Sequence, residues 1–175
     1  MSSIRAQMVI ALVTGSIVAG GALAAEKPNL VATFKDWHVY SAGKGKNRTC
    51  YALSVPKEMN PSNVTRDDVF FLISSWPANK TVNQPSIVPG YPYGANAKAQ
   101  VQVGSDKFVF FTKNEGGAGG AWMDKVADEK KLVAAMKRGS SMIVTGTSAR
   151  GTLTTDNYSL AGFSAALDKL GTACK

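Results

Sequence analysis

Side chains able to do nucleophilic or metal chemistry are few in this 175-residue sequence, which contains one histidine and two cysteines. His38 follows Trp37 in an alternating run, and any Ser/His/Asp or Cys/His enzyme would have to use it. One imidazole and two distant cysteines do not give the ligand spacing of a zinc site. The sequence therefore predicts no catalytic residues, no metal site and no cofactor.

The carboxylates show no obvious acid–base pair. Asp67 and Asp68 are adjacent before a predicted strand, so their side chains should alternate rather than converge, and Glu58 and Glu115 lie in predicted loops. The prediction is a protein that is not an enzyme. A hydrolase of an envelope polymer stays open as an alternative and would need two carboxyl groups roughly 5–10 Å apart. A small-ligand carrier is also open and would need a deep apolar pocket.

The first 25 residues have the pattern of a cleaved signal peptide. Arg5 supplies the positive charge, the run from Met8 to Leu23 is apolar or small, and Ala22-Leu23-Ala24 is an A-x-A cleavage pattern. Cleavage would leave a mature chain from Ala25 or Glu26. No later segment approaches the roughly 20 apolar residues that a membrane span requires. The predicted location is the periplasm, the outer membrane or the medium.

The remainder, residues 26–175, has the length of one domain. Cys50 and Cys174 both lie in it, and two cysteines in an oxidising compartment most simply form one structural disulfide. A redox pair is the alternative, but the usual C-x-x-C spacing is absent. The predicted disulfide would tie an early strand to the C-terminal tail.

The formal net charge of +8 suits an anionic lipid, an acidic glycan, or an envelope or host protein as the partner; the alternative is that this dispersed charge only aids solubility. The densest cations are Lys44, Lys46 and Arg48 in a predicted loop, followed by a group around a late helix. No stacking aromatic residues interleave with them, so nucleic-acid binding is not predicted.

Alternating apolar runs predict a mainly β fold. Thr33–Tyr40 and Cys50–Val55 read as a hairpin, and Val69–Trp76 reads as a central buried strand. Turn signals about every 8–12 residues favour an antiparallel sandwich over a βαβ architecture. A short helix is predicted over Glu129–Arg138, with Gly139 as its stop.

Two stretches rich in glycine or proline are expected to lie outside the sheet interior. Asn83–Gly94 holds three prolines, which argues against a central strand, and Gly116–Gly120 is expected to be a flexible loop. Within the first stretch, Tyr91 and Tyr93 form a candidate recognition loop, because exposed aromatic side chains on a rigid loop bind partners or sugars well. The alternative is that both tyrosines cover the edge of the core.

The tail RGTLTTDNYSLAGFSAALDKL predicts a strand, a polar corner and an amphipathic helix. Arg150, Asp156 and Ser159 are the candidate corner residues, and Ser159 is placed as the helix N-cap. The predicted core-facing positions of this second helix are Leu160, Phe163, Leu167 and Leu170, and Gly171 is its expected end.

This tail, the Trp37-His38-Val39 strand and VFFLISSW together resemble the invasion-associated locus B proteins of Gram-negative bacteria, over about residues 30–175. The resemblance implies an Ig-like β-sandwich that is exported to the periplasm or outer membrane and, in pathogens, contributes to host-cell invasion. It supplies no catalytic residues. Many relatives place a cysteine directly after the Trp strand, where this chain has Tyr40-Ser41, so Cys50 would take that role. In this frame an Arg150–Asp156 interaction is a hypothesis for the corner.

Overall fold

The computed structural model describes residues 27–175, so the predicted signal peptide lies outside the described residues. In this range eleven antiparallel strands form one hydrogen-bonded sheet, accompanied by two α-helices. No helix in the described range is long and apolar enough to cross a membrane.

The strands follow one another with short connections along most of the chain. Their bounds are β1 Asn29–Phe34, β2 Trp37–Ala42, β3 Thr49–Ser54, β4 Glu58–Asn60, β5 Phe70–Trp76, β6 Thr81–Val88, β7 Lys98–Val103, β8 Asp106–Glu115, β9 Ala118–Trp122, β10 Ser141–Thr147 and β11 Leu153–Ser159. The helices are α1 Val126–Arg138 and α2 Phe163–Ala173. The order across the sheet is β1-β2-β3-β5-β6-β9-β8-β7-β10-β11-β4.

The sheet has two halves that face each other across an aromatic core. The ladder between β6 and β9 is short, pairing only Ser86 and Ile87 with residues of β9. On either side of it the halves approach: the Phe71 ring of β5 lies 6.5 Å from Phe110 of β8 and 6.0 Å from Tyr158 of β11. Edge-to-face aromatic pairs of this kind add to the stabilisation from burial. The predicted mainly β, antiparallel, sandwich-like fold is confirmed, with one continuous sheet supplying both layers.

Both helices bury one apolar face in the same core. α2 packs on β1, β2 and β3, and its Phe163 ring lies 4.8 Å from that of Trp37. Phe163, Leu167 and Leu170 are buried, as the spacing predicts. α1 lies mainly against β6, with Leu132 and Met136 buried.

The helix boundaries differ from the prediction in ways that backbone geometry explains. α1 begins at Val126, three residues early, because the Lys125 carbonyl already accepts hydrogen bonds from the amides of Asp128 and Glu129. α2 begins at Phe163 because Gly162 has a φ of 90°, outside the right-handed helical region. It also continues past Gly171 to Ala173.

One prediction about irregular segments is wrong, and another holds only in part, since Gly116 and Gly117 do form the turn between β8 and β9. Residues of the proline-rich stretch form β6, which lies between β5 and β9 in the sheet interior. Pro85 is tolerated there because the ladder to β9 starts only at Ser86. The glycine run contributes to β9. There a Cβ on Gly119 would overlap the Tyr91 carbonyl, and a Cβ on Gly120 would overlap the indole ring of Trp122. These glycines permit close packing.

Candidate functional site

A buried ion pair organises one end of the molecule. Arg66 lies in the connection between β4 and β5, and Asp156 lies on β11 with its side chain facing the core. Nη1 and Nη2 of Arg66 donate to Oδ1 and Oδ2 of Asp156 at 2.6 and 2.7 Å. The two side chains are 5% and 3% exposed. A bidentate guanidinium–carboxylate contact is the strongest and most directional ion pair available to side chains.

Arg66 also holds the neighbouring loop. Its Nε and Nη2 donate to the Pro89 carbonyl oxygen at 2.9 and 2.7 Å, and its guanidinium lies 5.1 Å from the centre of the Tyr91 ring. The amide of Asp67 donates to the Gly90 carbonyl at 3.0 Å. One arginine therefore fixes the β4–β5 connection, the loop after β6 and strand β11 relative to one another.

The electrostatics favour a charged arginine beside neutral phenols. Burial disfavours the guanidinium cation, but the hydrogen bonds and charge of Asp156 outweigh it, so the pKa of Arg66 lies above its ordinary value. Burial raises the pKa values of Tyr91, Tyr93 and Tyr158. Since all three phenols stay protonated, their hydroxyl groups serve as neutral hydrogen-bonding groups.

The tyrosine hydroxyls differ in their partners. The Tyr91 hydroxyl lies 2.6 Å from the Thr154 Oγ1. The Tyr158 hydroxyl is buried and is the side-chain polar atom that lacks a hydrogen-bond partner among the buried groups of residues 27–175. A buried hydroxyl without a partner is uncommon, and this one belongs to the ring that packs 6.0 Å from Phe71.

Two surface clefts open on either side of the ion pair. The β4 cleft, of about 800 Å³, is lined by apolar residues and two carboxylates, namely Val55, Met59, Asp67, Asp68 and Val69 among others. The Arg150 cleft, of about 550 Å³, is lined by hydroxyl, amide and guanidinium groups and by a similar share of apolar groups, namely Asn63, Thr65, Ser148, Arg150, Thr152, Val64, Pro92 and Ala149 among others. Both are bordered by Arg66, Asp67, Gly90 and Tyr91. The Arg150 cleft offers donors for a polar or anionic group.

The candidate recognition loop is less exposed than expected. Tyr93 is 2% exposed, and its backbone amide and carbonyl both bond to the Asn114 side chain at 2.8 Å. Tyr93 therefore belongs to the core, which corrects its place in the candidate recognition loop and agrees with the alternative that it covers the core. Tyr91 is half-buried and forms the wall between the two clefts.

The corner residues are brought together only in part. Arg150 is exposed in the turn between β10 and β11, and the partner of Asp156 is Arg66, so the Arg150–Asp156 hypothesis is wrong. Ser159 does not cap α2. Its Oγ accepts from the Ala161 amide at 3.1 Å, and its carbonyl accepts from the Trp37 indole at 3.1 Å.

The Cys50–Cys174 disulfide is present and joins β3 to the residue after α2. Nearby, Nη1 of Arg48 donates to the carbonyls of Ala173 and Lys175 at 3.2 and 3.1 Å. Elsewhere, His38 Nδ1 lies 3.0 Å from the Thr33 hydroxyl. Among the described residues, no group of three or more His, Cys, Asp or Glu side chains is placed to hold a metal ion.

The fold and the site define a class: an antiparallel, sandwich-like β protein whose C-terminal helix is pinned by a disulfide and whose clefts surround a buried ion pair. The family model described as "Invasion associated locus B (IalB) protein" matches residues 37–171, and the chain belongs to this family.

A solved relative shows the same fold. The crystal structure of invasion associated protein B from Bartonella henselae superimposes with a TM-score of 0.57 at 19% sequence identity, covering 83% of this chain and 97% of that one. No curated protein sequence matches the chain.

Proposed function

We propose that this member of the invasion-associated locus B family is an exported envelope protein that acts by binding, and that its partner is a polar segment of an envelope or host protein held in the Arg150 cleft. The observation that carries the proposal is the Arg66–Asp156 pair. It holds the β4–β5 connection and the loop after β6 against β11, so the walls of the cleft are fixed before a partner arrives. Preorganised walls reduce the ordering cost of binding.

The lining of the cleft sets the chemistry of the partner. Arg150 is exposed at the rim, while Thr65 and Thr152 supply hydroxyl groups and Asn63 supplies an amide. The exposed Asp67 supplies one carboxylate on the side shared with the β4 cleft. These groups suit a segment with a carboxylate opposite the guanidinium and backbone groups opposite the hydroxyls.

Site-directed photo-crosslinking tests the binding proposal. A benzoylphenylalanine in place of Thr152 would lie in the cleft, and one in place of Val109 would lie on a 53%-exposed site that lines neither cleft. In intact cells we expect a discrete protein adduct from position 152 that is absent from position 109 and is lost with Arg150→Glu. Equal adducts from both positions, or an adduct indifferent to Arg150→Glu, would overturn the proposal.

Export is supported by the N-terminal signal pattern and by the Cys50–Cys174 bond, because disulfides persist in oxidising compartments. The intact mass of the protein recovered from a periplasmic extract should correspond to a chain starting at Ala25 or Glu26 and lacking two hydrogens. A full-length, thiol-reactive protein confined to the cytosol would contradict export.

A second candidate function rests on the β4 cleft: Asp67 and Asp68, which were expected to alternate, both line it and are exposed beside an apolar wall. These carboxylates could serve hydrolysis of an envelope polymer. Release of soluble fragments from purified envelope polymers by the wild-type protein, abolished by Asp67→Asn/Asp68→Asn, would establish it. Equal release by both proteins would exclude these residues.

A further inference from the structure

The sheet half formed by β1, β2, β3, β5 and β6 carries cations at one end, and these come from two loops that are far apart in sequence. The β2–β3 loop contributes Lys44, Lys46 and Arg48, and the β5–β6 loop contributes Lys80. The register of β3 on β5, which pairs Cys50 with Ser75, brings these loops to the same end, where their short 3-10 turns are in contact. We call this surface the basic end.

The basic end is held in shape by the tail of the chain. The disulfide joins the start of β3 to the residue after α2, and Arg48 donates to two tail carbonyls. Lys80 has a φ of 58°, a left-handed turn position, and both it and Lys46 are exposed. The ammonium groups of Lys46 and Lys80 therefore extend from an ordered base.

An apolar groove continues from the basic end. This β6–α1 groove has a volume of about 240 Å³ and begins at Val82, two residues after Lys80. It also contains Val126, and the two valines are 67% and 63% exposed. Lys130 and Lys137 line its α1 side. Two unusually exposed valines framed by lysines form an amphipathic surface.

Negative charge is sparse on this surface. The β2–β3 and β5–β6 loops contain no Asp or Glu. On α1, Asp128 pairs with Lys131, and Glu129 lines the groove but is only 5% exposed, while Asp124 is exposed just before the helix. The positive electrostatic potential of this surface favours an anionic partner, and the exposed valines favour a partner that also accepts apolar side chains. An acidic glycan or a nucleic acid supplies negative charge but no apolar environment for the valines.

We propose that the basic end and the β6–α1 groove dock together on the surface of an anionic phospholipid bilayer. The lysines contact the headgroups, and Val82 and Val126 reach the boundary between headgroups and acyl chains. This is a peripheral contact made by loops and a groove. It leaves the Arg150 cleft, which lies around residues 63–67 and 148–154, available to a second partner.

Vesicle sedimentation with the disulfide-bonded mature chain tests this proposal. We expect binding to phosphatidylglycerol/phosphatidylethanolamine vesicles and none to phosphatidylcholine vesicles. Lys46→Glu/Lys80→Glu should weaken binding at least 25-fold at low salt, since each lysine near a charged bilayer accounts for about a fivefold change in affinity. The matched control Lys98→Glu/Lys107→Glu has the same charge change on β7 and β8 and should alter binding less than threefold.

A second pair of variants isolates the apolar contribution. Val82→Ser/Val126→Ser should weaken vesicle binding several-fold without changing its salt dependence, and it should leave binding to heparin beads unchanged. The proposal would be overturned if Lys98→Glu/Lys107→Glu weakened vesicle binding as much as Lys46→Glu/Lys80→Glu. It would also be overturned if Val82→Ser/Val126→Ser left vesicle binding unchanged. Arg150→Glu should bind vesicles normally, which separates this outcome from failure of the cleft proposal.

Discussion

Arg66 and Asp156 lie 90 residues apart in the chain, yet their side chains meet in two parallel hydrogen bonds of 2.6 and 2.7 Å, almost wholly removed from solvent. Each charge is costly to bury alone and acceptable only beside the other. The pair therefore makes the position of the β4–β5 connection dependent on the correct placement of β11. Since both clefts border this connection, the same contact shapes the candidate site.

Removing one partner of this pair should destabilise the protein strongly. Asp156→Ala leaves the Arg66 cation buried without its carboxylate, and we expect a loss of about 3–5 kcal/mol in the free energy of unfolding. Urea denaturation followed by tryptophan fluorescence measures it. The double variant Arg66→Met/Asp156→Leu should lose less than Asp156→Ala, because no unpaired charge remains.

Arg150→Ala is the matched control for the ion pair. Its side chain is exposed and does not reach Asp156, so the free energy of unfolding should change by no more than about 0.5 kcal/mol. If Arg150→Ala were as damaging as Asp156→Ala, the assignment of Arg66 as the partner would be wrong.

Local sequence patterns were sufficient where a residue's neighbours determine its environment. Periodicity placed Phe163, Leu167 and Leu170 in the core, and two cysteines in a chain with a predicted signal peptide predicted their bond. Local patterns failed where contacts with distant segments determine a residue's environment. A lone arginine in a polar connection gives no signal of a carboxylate 90 residues away, so sequence reasoning assigned Asp156 to the nearer Arg150.

The same limit applies to the glycine and proline stretches. Composition indicates loops there, but Gly119 and Gly120 leave room for the Tyr91 carbonyl and an indole ring, and Pro85 lies where the ladder to β9 has not begun. For Tyr93 the sequence left open whether the ring is exposed or covers the edge of the core, and its burial depends on how the two sheet halves close. Each of these positions is set by tertiary contacts.

The turn before α2 should tolerate no side chain at Gly162. Its φ of 90° disfavours any Cβ, and the added carbon would overlap the Phe34 carbonyl, so Gly162→Ala should cost about 1–3 kcal/mol. Gly171 lies within α2, and a Cβ there meets nothing, so Gly171→Ala should stabilise the protein by roughly 0.5–1 kcal/mol. Thermal unfolding of both variants measures the difference. Melting temperatures that move in the same direction in both variants would contradict this geometry.

The buried tyrosines should make the fold sensitive to alkali. Burial raises the pKa values of Tyr91, Tyr93 and Tyr158 above the ordinary value of 10.0, whereas in the unfolded chain these phenols ionise near that value. The unfolded state therefore gains phenolate first, so this contribution to stability is complete below pH 10 and is lost as the pH rises above it.

Spectrophotometric titration at 295 nm checks this prediction. The native protein should show delayed ionisation that is completed only together with unfolding. Tyr93→Phe removes one of the delayed groups and should reduce the late amplitude accordingly. Ionisation of every tyrosine near pH 10 in the folded protein would contradict the burial of this cluster.

The disulfide should add stability without determining the fold. Cys50 and Cys174 are 124 residues apart, and closing so long a loop restricts the unfolded chain, so Cys50→Ala/Cys174→Ala should lose about 2–5 kcal/mol. α2 should still dock, because Phe163 packs on Trp37 and Leu170 is fully buried. The near-ultraviolet circular dichroism of the variant should therefore stay native-like while its urea midpoint falls. Dithiothreitol should lower the wild-type midpoint to that of the variant and leave the variant unchanged; a wild-type midpoint unaffected by complete reduction would show that the bond does not contribute to stability.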